Sequence, residues 1–414
     1  MTPPLRELAR VFGRIGLLSF GGPAAQIALM HKELVEDRDW LTETQFLRAT
    51  SFCMLLPGPE AMQLATYAGW RMRGIPGGLL AGGLFVLPGA CVIVALALAY
   101  GAYGALDAVQ AVFLGVQAAV VVIVLQALRN IAARALTSSA ARLIALAAFL
   151  ALFVLGVPFP VVILAAGLLG AATLAQGAAA GLPLVRHHPI RILLVGGLIW
   201  AAPIALAAAL GATFLTEIGL FFSKLAVVTF GGAYAVLAYM TQAVVGEYGW
   251  LTTDQMLDAL GLAETTPGPL ILVTQFVAML AGLAEGGVRT ALLAGAMTLW
   301  VTFVPCFIWI FAGAPLIDWL EGQPRLQAAL AGITAAVVGV IASLALWFAV
   351  NVLFARILDG PLAVPLPDPA SLDLRALGLV ALAGGALFWR KLGLLATLSL
   401  TAAAAGLLFA TGLA

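Results

Sequence analysis

The stretch "LLPGPEAMQLATY", Leu55 to Tyr67, sets a glycine between two prolines and follows them with a carboxylate, inside a segment apolar enough to be buried. Proline has no amide hydrogen and glycine holds a helix poorly, so a helix that runs into Pro57-Gly58-Pro59 must stop and start again. Further on, "TTPGPLILVTQF", Thr265 to Phe276, repeats the break at Pro267-Gly268-Pro269 in the same apolar setting. The fold turns on what kind of chain carries two such breaks.

The setting is a membrane. Of 414 residues, 63% are hydrophobic and 9% charged, against roughly 25% charged in a soluble domain. Apolar runs such as Gln110 to Leu128 and Ile192 to Leu215 reach the roughly 20 residues that a helix needs to cross the hydrocarbon. They do not alternate as barrel strands do. An all-α integral membrane protein is therefore expected, with the lipid bilayer as a partner. The net charge of +1 argues against a nucleic-acid partner. Cys53, Cys91 and Cys306 stand singly, and His31, His187 and His188 sit in or beside predicted loops, so no metal, disulfide framework or cofactor is expected.

The chain repeats itself. Phe20-Gly21-Gly22 recurs as Phe230-Gly231-Gly232, Trp40-Leu41-Thr42 as Trp250-Leu251-Thr252, and the first Pro-Gly-Pro as the second, each 210 residues on. Beyond the second break the offset is 217: Pro88 matches Pro305, Gln110 matches Gln327, and "GVQAAVV" from Gly115 matches "GITAAVV" from Gly332. A seven-residue insertion accounts for the change. The basic N-terminal segment with Arg6, Arg10 and Arg14 belongs to this repeat, so it is expected to be folded and kept rather than removed as a signal peptide. Each half reads as about six hydrophobic segments, and a further helix near 192–214 has no partner. The predicted domains are an N-terminal repeat over 1–185, a linker transmembrane helix over 186–215 and a C-terminal repeat over 216–414. Six crossings and one linker turn the second half over, so the two repeats are expected to be inverted, as in many secondary transporters. Arginines in alternate short loops of the first half (Arg71 and Arg73; Arg129, Arg134 and Arg142; Arg186 and Arg191) place the N-terminus in the cytoplasm.

In lipid, the backbone groups freed at a break need partners. Pro59 and Pro269 suit the first position of a new helix, whose unpaired amides and positive dipole end face the break. That is the makings of an anion site, formed by Pro57, Gly58 and Pro59 and again by Pro267, Gly268 and Pro269. The alternative is a simple proline kink. Gly21 and Gly22, and likewise Gly231 and Gly232, offer each half a second soft point, or a place for close helix packing. One residue before each Phe-Gly-Gly, Ser19 and Thr229 present matching hydroxyls. Arg14 and Lys224, six residues before each Phe-Gly-Gly, either attract substrate or snorkel to the interface. Gln63, Thr66, Thr265, Thr266 and Gln275 are polar groups able to line a pocket. Glu60 and Glu264, beside the two breaks, either complement a helix dipole or carry a proton. Thr42-x-x-Gln45 and Thr252-x-x-Gln255 fit helix capping boxes, with Trp40 and Trp250 as interfacial anchors.

"SFGGPAAQIALMHKELVEDRDWLT" (Ser19 to Thr42), "LLPGPEAMQLATYAGWRMRGIPGG" (Leu55 to Gly78) and "ETTPGPLILVTQFVA" (Glu264 to Ala278) closely resemble the chromate ion transporter family in its long, two-domain form. The resemblance covers nearly the whole chain. It implies export of chromate across the bacterial inner (plasma) membrane and chromate resistance, with sulfate as a competing substrate; a homodimer is left open. Other readings are a carrier of sulfate or another oxyanion, and a passive anion channel. An oxidoreductase would need redox ligands that three scattered cysteines do not supply, and a scaffold would give no reason for paired breaks.

Overall fold

The computed structural model describes residues 3–175, 189–230, 233–317, 323–360 and 364–412. Gly231, Gly232, Arg186, His187 and His188 lie outside the described residues. The first half comprises α1 (Leu5–Leu18), α2 (Pro23–His31), α3 (Glu43–Leu55), α4 (Glu60–Tyr103), α5 (Asp107–Ala135), α6 (Ser139–Phe153) and α7 (Phe159–Thr173). The linker is α8 (Pro189–Ala209). The second half comprises α9 (Thr213–Val228), α10 (Ala233–Thr241), α11 (Thr253–Thr265), α12 (Val273–Gly313), α13 (Pro324–Leu353), α14 (Leu374–Gly384) and α15 (Leu394–Ala410). A two-stranded hairpin of Ile357–Asp359 and Pro365–Pro367 follows α13. Among the described residues, five helices are apolar and long enough to cross a membrane: α4, α5, α8, α13, and α12 with the turn that precedes it. The protein is an all-α membrane protein.

The two halves match in local geometry as well as in sequence. Both capping boxes form: the Gln45 amide donates to Thr42 Oγ1 and the Thr42 amide to Gln45 Oε1, and Thr252 and Gln255 exchange the same pair of bonds. Upstream of each box lies a wide π-helical turn, Lys32–Glu36 and Gln242–Glu247. Each turn is closed by a residue at positive φ, Asp39 (50°) and Gly249 (61°). The next amide, of Trp40 or Trp250, reaches back to the carbonyl of Leu34 or Val244. Left-handed closure of this sort pairs carbonyls that a helix end leaves open.

The 44 residues of α4 are two arms folded against each other. Arg73 (φ −140°, ψ 23°) and Gly74 (φ 62°, ψ −156°) interrupt the helix, and Gly286 (φ −159°, ψ 24°) with Gly287 (φ 72°, ψ −161°) does the same in α12. Glycines let the arms touch: a Cβ on Gly69 would run into the Gly77 carbonyl, and one on Gly282 into the backbone of Ala291. Pro88 and Pro305 lie in the returning arms.

The chain packs as two compact units, each drawn from both halves. The first takes Met1–Leu98, Gly177–Val236 and Thr266–Pro324; the second takes Ala99–Gln176, Leu237–Thr265 and Arg325–Ala414. In the first unit α8 packs on α9 and α12, and two tryptophans cross-link it. Trp200 Nε1 donates to the Val301 carbonyl and Trp300 Nε1 to that of Ile199, both at 3.0 Å. In the second unit α5 is central and packs on α11, α14 and α15. Gly115 sits against the Thr401 carbonyl, and Gly170 meets Gly332. Small residues at these crossings let the backbones approach closely, as membrane helices require when lipid gives no hydrophobic drive.

Candidate functional site

The breaks gather in the first unit. Helix α1 ends at Ser19 (φ −77°, ψ 70°) and α9 at Thr229 (φ −76°, ψ 90°). The amides of Phe20 and Phe230 then bond back to the carbonyls of Leu18 and Val228. This inverse γ-turn swings the carbonyl of its central residue out of the helical ladder. Both hydroxyls turn inward to their own helices: Ser19 Oγ donates to the Ile15 carbonyl and Thr229 Oγ1 to that of Leu225, each at 2.6 Å.

The freed carbonyls are taken by the opposite half. The Gly58 amide donates to the Thr229 carbonyl at 2.8 Å, and the Gly268 amide to the Ser19 carbonyl at 2.7 Å. Each Pro-Gly-Pro contains one amide hydrogen, that of its glycine, so each break spends its sole donor on the other repeat. Gly58 (φ 121°) and Gly268 (φ 91°) hold backbone angles that favour glycine. Helix restart differs between the halves. Pro59 leads directly into α4, whereas Pro269 leads into a 3₁₀ turn, Leu270–Leu272, before α12. The first-turn amides of α4, at Ala61 and Met62, have no intrahelical acceptor by position and remain the donors that the break can offer an anion.

Side chains close the arrangement. Gln26 on α2, 2% exposed, donates from Nε2 to the carbonyls of Gly21 (3.0 Å) and Gly268 (2.7 Å), clamping a break of each half with one amide. Gln63 Nε2 donates to the Pro57 carbonyl at 2.7 Å and Gln275 Nε2 to that of Ala90 at 3.3 Å. Both glutamines are buried, and the Oε1 of each has no hydrogen-bond partner among the described residues. A donor, from water or from a protonated oxyanion, is what such an oxygen can take. Cys306 Sγ lies against Gly58 and Gln63, where a Cβ on Gly58 would meet both at 2.8 Å. Gly89, on the returning arm of α4, packs on the Pro267 carbonyl, and Gly82 packs on Thr66 Oγ1.

The remaining predicted residues are placed in different ways. Thr66 Oγ1 bonds the Met62 carbonyl within its own helix, and Thr266 is buried beside Pro267. Arg14 is exposed and pairs at 3.4 Å with the buried Glu33, which also holds Arg38. Lys224 is exposed on α9. Glu60 heads α4 and is half-buried. Glu264 and Thr265 end α11 in the second unit; Glu264 is buried, and Thr265 Oγ1 bonds the Leu262 carbonyl. Sequence reasoning passed over Gln26; its signal was a lone amide in the apolar run after Phe-Gly-Gly-Pro. His31, read as a loop histidine, ends α2 with its ring between Glu36 (3.1 Å) and Glu43 (2.7 Å). These contacts, led by the hydrogen bond to Glu43, raise its pKa above 6.5.

A family model described as chromate transporter matches the chain over residues 6–171 and 216–407. The chain belongs to the chromate transporter family. The two matched stretches coincide with the two halves and leave out α8. Similar members of the chromate transporter family include the "Probable chromate transport protein" of Synechococcus elongatus, 30% identical over 94% of this chain and 96% of that protein. The "Chromate transport protein" of Cupriavidus metallidurans is 33% identical over 82% of this chain and 81% of its own length. The protein of the same description from Pseudomonas aeruginosa is 34% identical over 82% and 80%. No solved structure matches the chain.

Proposed function

We propose that this member of the chromate transporter family is a secondary transporter that exports chromate across the bacterial inner membrane, by alternating access between two inverted halves, and so confers chromate resistance. The observation that carries the reading is the crosswise pairing of Gly58 with Thr229 and of Gly268 with Ser19. It brings two broken helices from each repeat to one place, with buried amide groups around them. A tetrahedral dianion is suited to helix N-termini. The names of the relatives from Cupriavidus metallidurans and Pseudomonas aeruginosa supply chromate as the substrate, and sulfate, of the same shape and charge, is its natural competitor. The repeats serve as the transporter domains, 1–185 and 216–414, with the linker helix within 186–215 inverting the second. The arginine-bearing loops set the N-terminus in the cytoplasm.

Energetics favour export. A dianion leaving an inside-negative cell gains about 2.3 kcal/mol per charge per 100 mV. For two charges this corresponds to a gradient on the order of a thousandfold. The membrane potential alone therefore suffices to drive export, whereas uptake would need a coupled ion. The test is labelled chromate flux into and out of proteoliposomes under an imposed potential, with sulfate as competitor. Saturable flux that follows the potential and is reduced by sulfate is expected. Flux that never saturates would point to a channel, and no flux would overturn the assignment.

A further inference from the structure

The second unit holds a buried carboxylate for which the paired breaks have no use. Asp258, on α11, is 0% exposed. Tyr100 Oη donates to its Oδ2 at 2.5 Å and Gln117 Nε2 to its Oδ1 at 2.7 Å. Gln117 stands about 15 Å along α5 from the start of that helix, at 1.5 Å per residue. That is about half the thickness of the hydrocarbon. Both partners are neutral donors. Among the described residues no ion pair reaches Asp258, and α15, which also packs on α11, carries no titratable residue. The titratable neighbours are the Tyr100 hydroxyl and Asp254, one turn earlier on the same face of α11. Asp254 and Gln110 are exposed and Tyr100 is half-buried. These groups lie between the carboxylate and the protein surface.

The repeat distinguishes this cluster from a scaffold requirement. The capping boxes align α3 with α11, and the position matching Asp258 is Arg48, which is exposed. The positions matching Tyr100 and Gln117 are Ile317 and Thr334. One copy of the fold is built without the carboxylate and without either partner. Furthermore, α11 runs unbroken from Asp258 to Thr265, directly before the break whose glycine amide holds the Ser19 carbonyl. About two turns of continuous helix thus separate Asp258 from the residues that enter that break.

We propose that Asp258 is a proton-binding site whose occupancy changes as the Pro267-Gly268-Pro269 break rearranges during transport. Water supplies the proton. It binds Asp258 Oδ2, which then donates to Tyr100 Oη as the phenol hydrogen turns away; release reverses these steps, and no other bond changes. The binding of a proton is independent of what is carried, whereas its link to transport rests on the reading given above.

Infrared difference spectra of the full chain in liposomes, taken as the pH is stepped, test this directly. A carboxylic acid carbonyl band is expected to grow as the pH falls, to be lost in Asp258→Asn, to return at a shifted frequency in Asp258→Glu, and to appear at higher pH in Tyr100→Phe, which removes a donor to the ionised form. Chromate is expected to change the amplitude of the band. A spectrum with no Asp258-dependent titrating band, in variants whose thermal unfolding matches wild type, overturns the proton site. A band indifferent to chromate while labelled chromate flux remains saturable overturns the link. A titrating band in a protein that neither binds nor carries chromate upholds the proton site and counts against the transport reading.

Discussion

The Gly58 amide meets the Thr229 carbonyl at 2.8 Å across 171 residues of chain, and the Gly268 amide meets Ser19 in the same way. Each of these amides is the one donor of its Pro-Gly-Pro, and each acceptor is the centre of a γ-turn that exists at the same place in both halves. The bonds are therefore a property of the duplicated arrangement, and glycine is favoured at both donors by backbone angle and at Gly58 by space as well.

Gly58→Ala is expected to be the more damaging of the two substitutions. Positive φ costs a side chain about 1–2 kcal/mol at either site, but a Cβ at position 58 also meets Cys306 Sγ and Gln63 Nε2 at 2.8 Å, whereas at 268 its nearest atom is the flexible Leu272 Cδ1 at 3.0 Å. Thermal unfolding should rank wild type above Gly268→Ala and that above Gly58→Ala. Chromate flux in proteoliposomes should fall in both. Wild-type flux in folded variants would separate the breaks from transport.

Gln26→Leu removes the donor that serves Gly21 and Gly268 at once. A buried carbonyl and a partly buried one lose a partner, and the loss of a buried partner costs about 1–3 kcal/mol. A lower melting temperature is expected, larger than for Gln45→Leu, which removes one side of an exposed capping box. Equal melting temperatures for the two variants would show that the clamp carries no weight.

Gly74→Ala and Gly287→Ala test the folded arms. Their angles lie in a region that only glycine enters readily, and the strain on another residue is about 1–3 kcal/mol. Both variants should be destabilised alike, because the two turns share nearly the same angles. A loss in one alone would contradict the equivalence of the turns.

His31 gives a pH signature outside the membrane-spanning segments. Its folded pKa is raised, chiefly by the hydrogen bond to Glu43, so the charged ring stabilises the fold. That contribution is complete below the unfolded value near 6.5 and is lost as pH rises through the higher folded value. Melting curves across this window should show a decline in wild type that His31→Gln lacks. Parallel curves would remove His31 from the account.

Local features were the legible ones. Proline and glycine dictate where a helix stops, so both breaks stood in the sequence, and a threonine followed three residues later by glutamine announced both capping boxes. The apolar runs announced the class of the helices, whereas their number, with α4 and α12 each folded into two arms, exceeds the six segments read in each half. What a sequence does not display is which distant group satisfies a freed amide or carbonyl. Ser19 and Thr229 read as hydroxyls facing a ligand; in the fold their hydroxyls turn back one helical turn and their carbonyls do the joining. Asp258 was passed over because α11 reads as an ordinary capped helix, and its burial follows from the packing of α5, far away in the chain. Division into compact units follows packing rather than the repeat boundary, which no periodicity encodes.

The wide turns at Lys32–Glu36 and Gln242–Glu247 carry a historical consequence. A π-helical turn reflects an added residue in a helix, and two independent additions at one register are less economical than one inherited by both copies. The turn is then older than the duplication, and so is the left-handed position that closes it, now Asp39 in one copy and Gly249 in the other. Gln26 is matched by Val236 in the other copy and Asp258 by Arg48, so at these positions the two copies have evolved apart. An ancestor of half this length would have needed a second molecule of itself to pair its breaks crosswise.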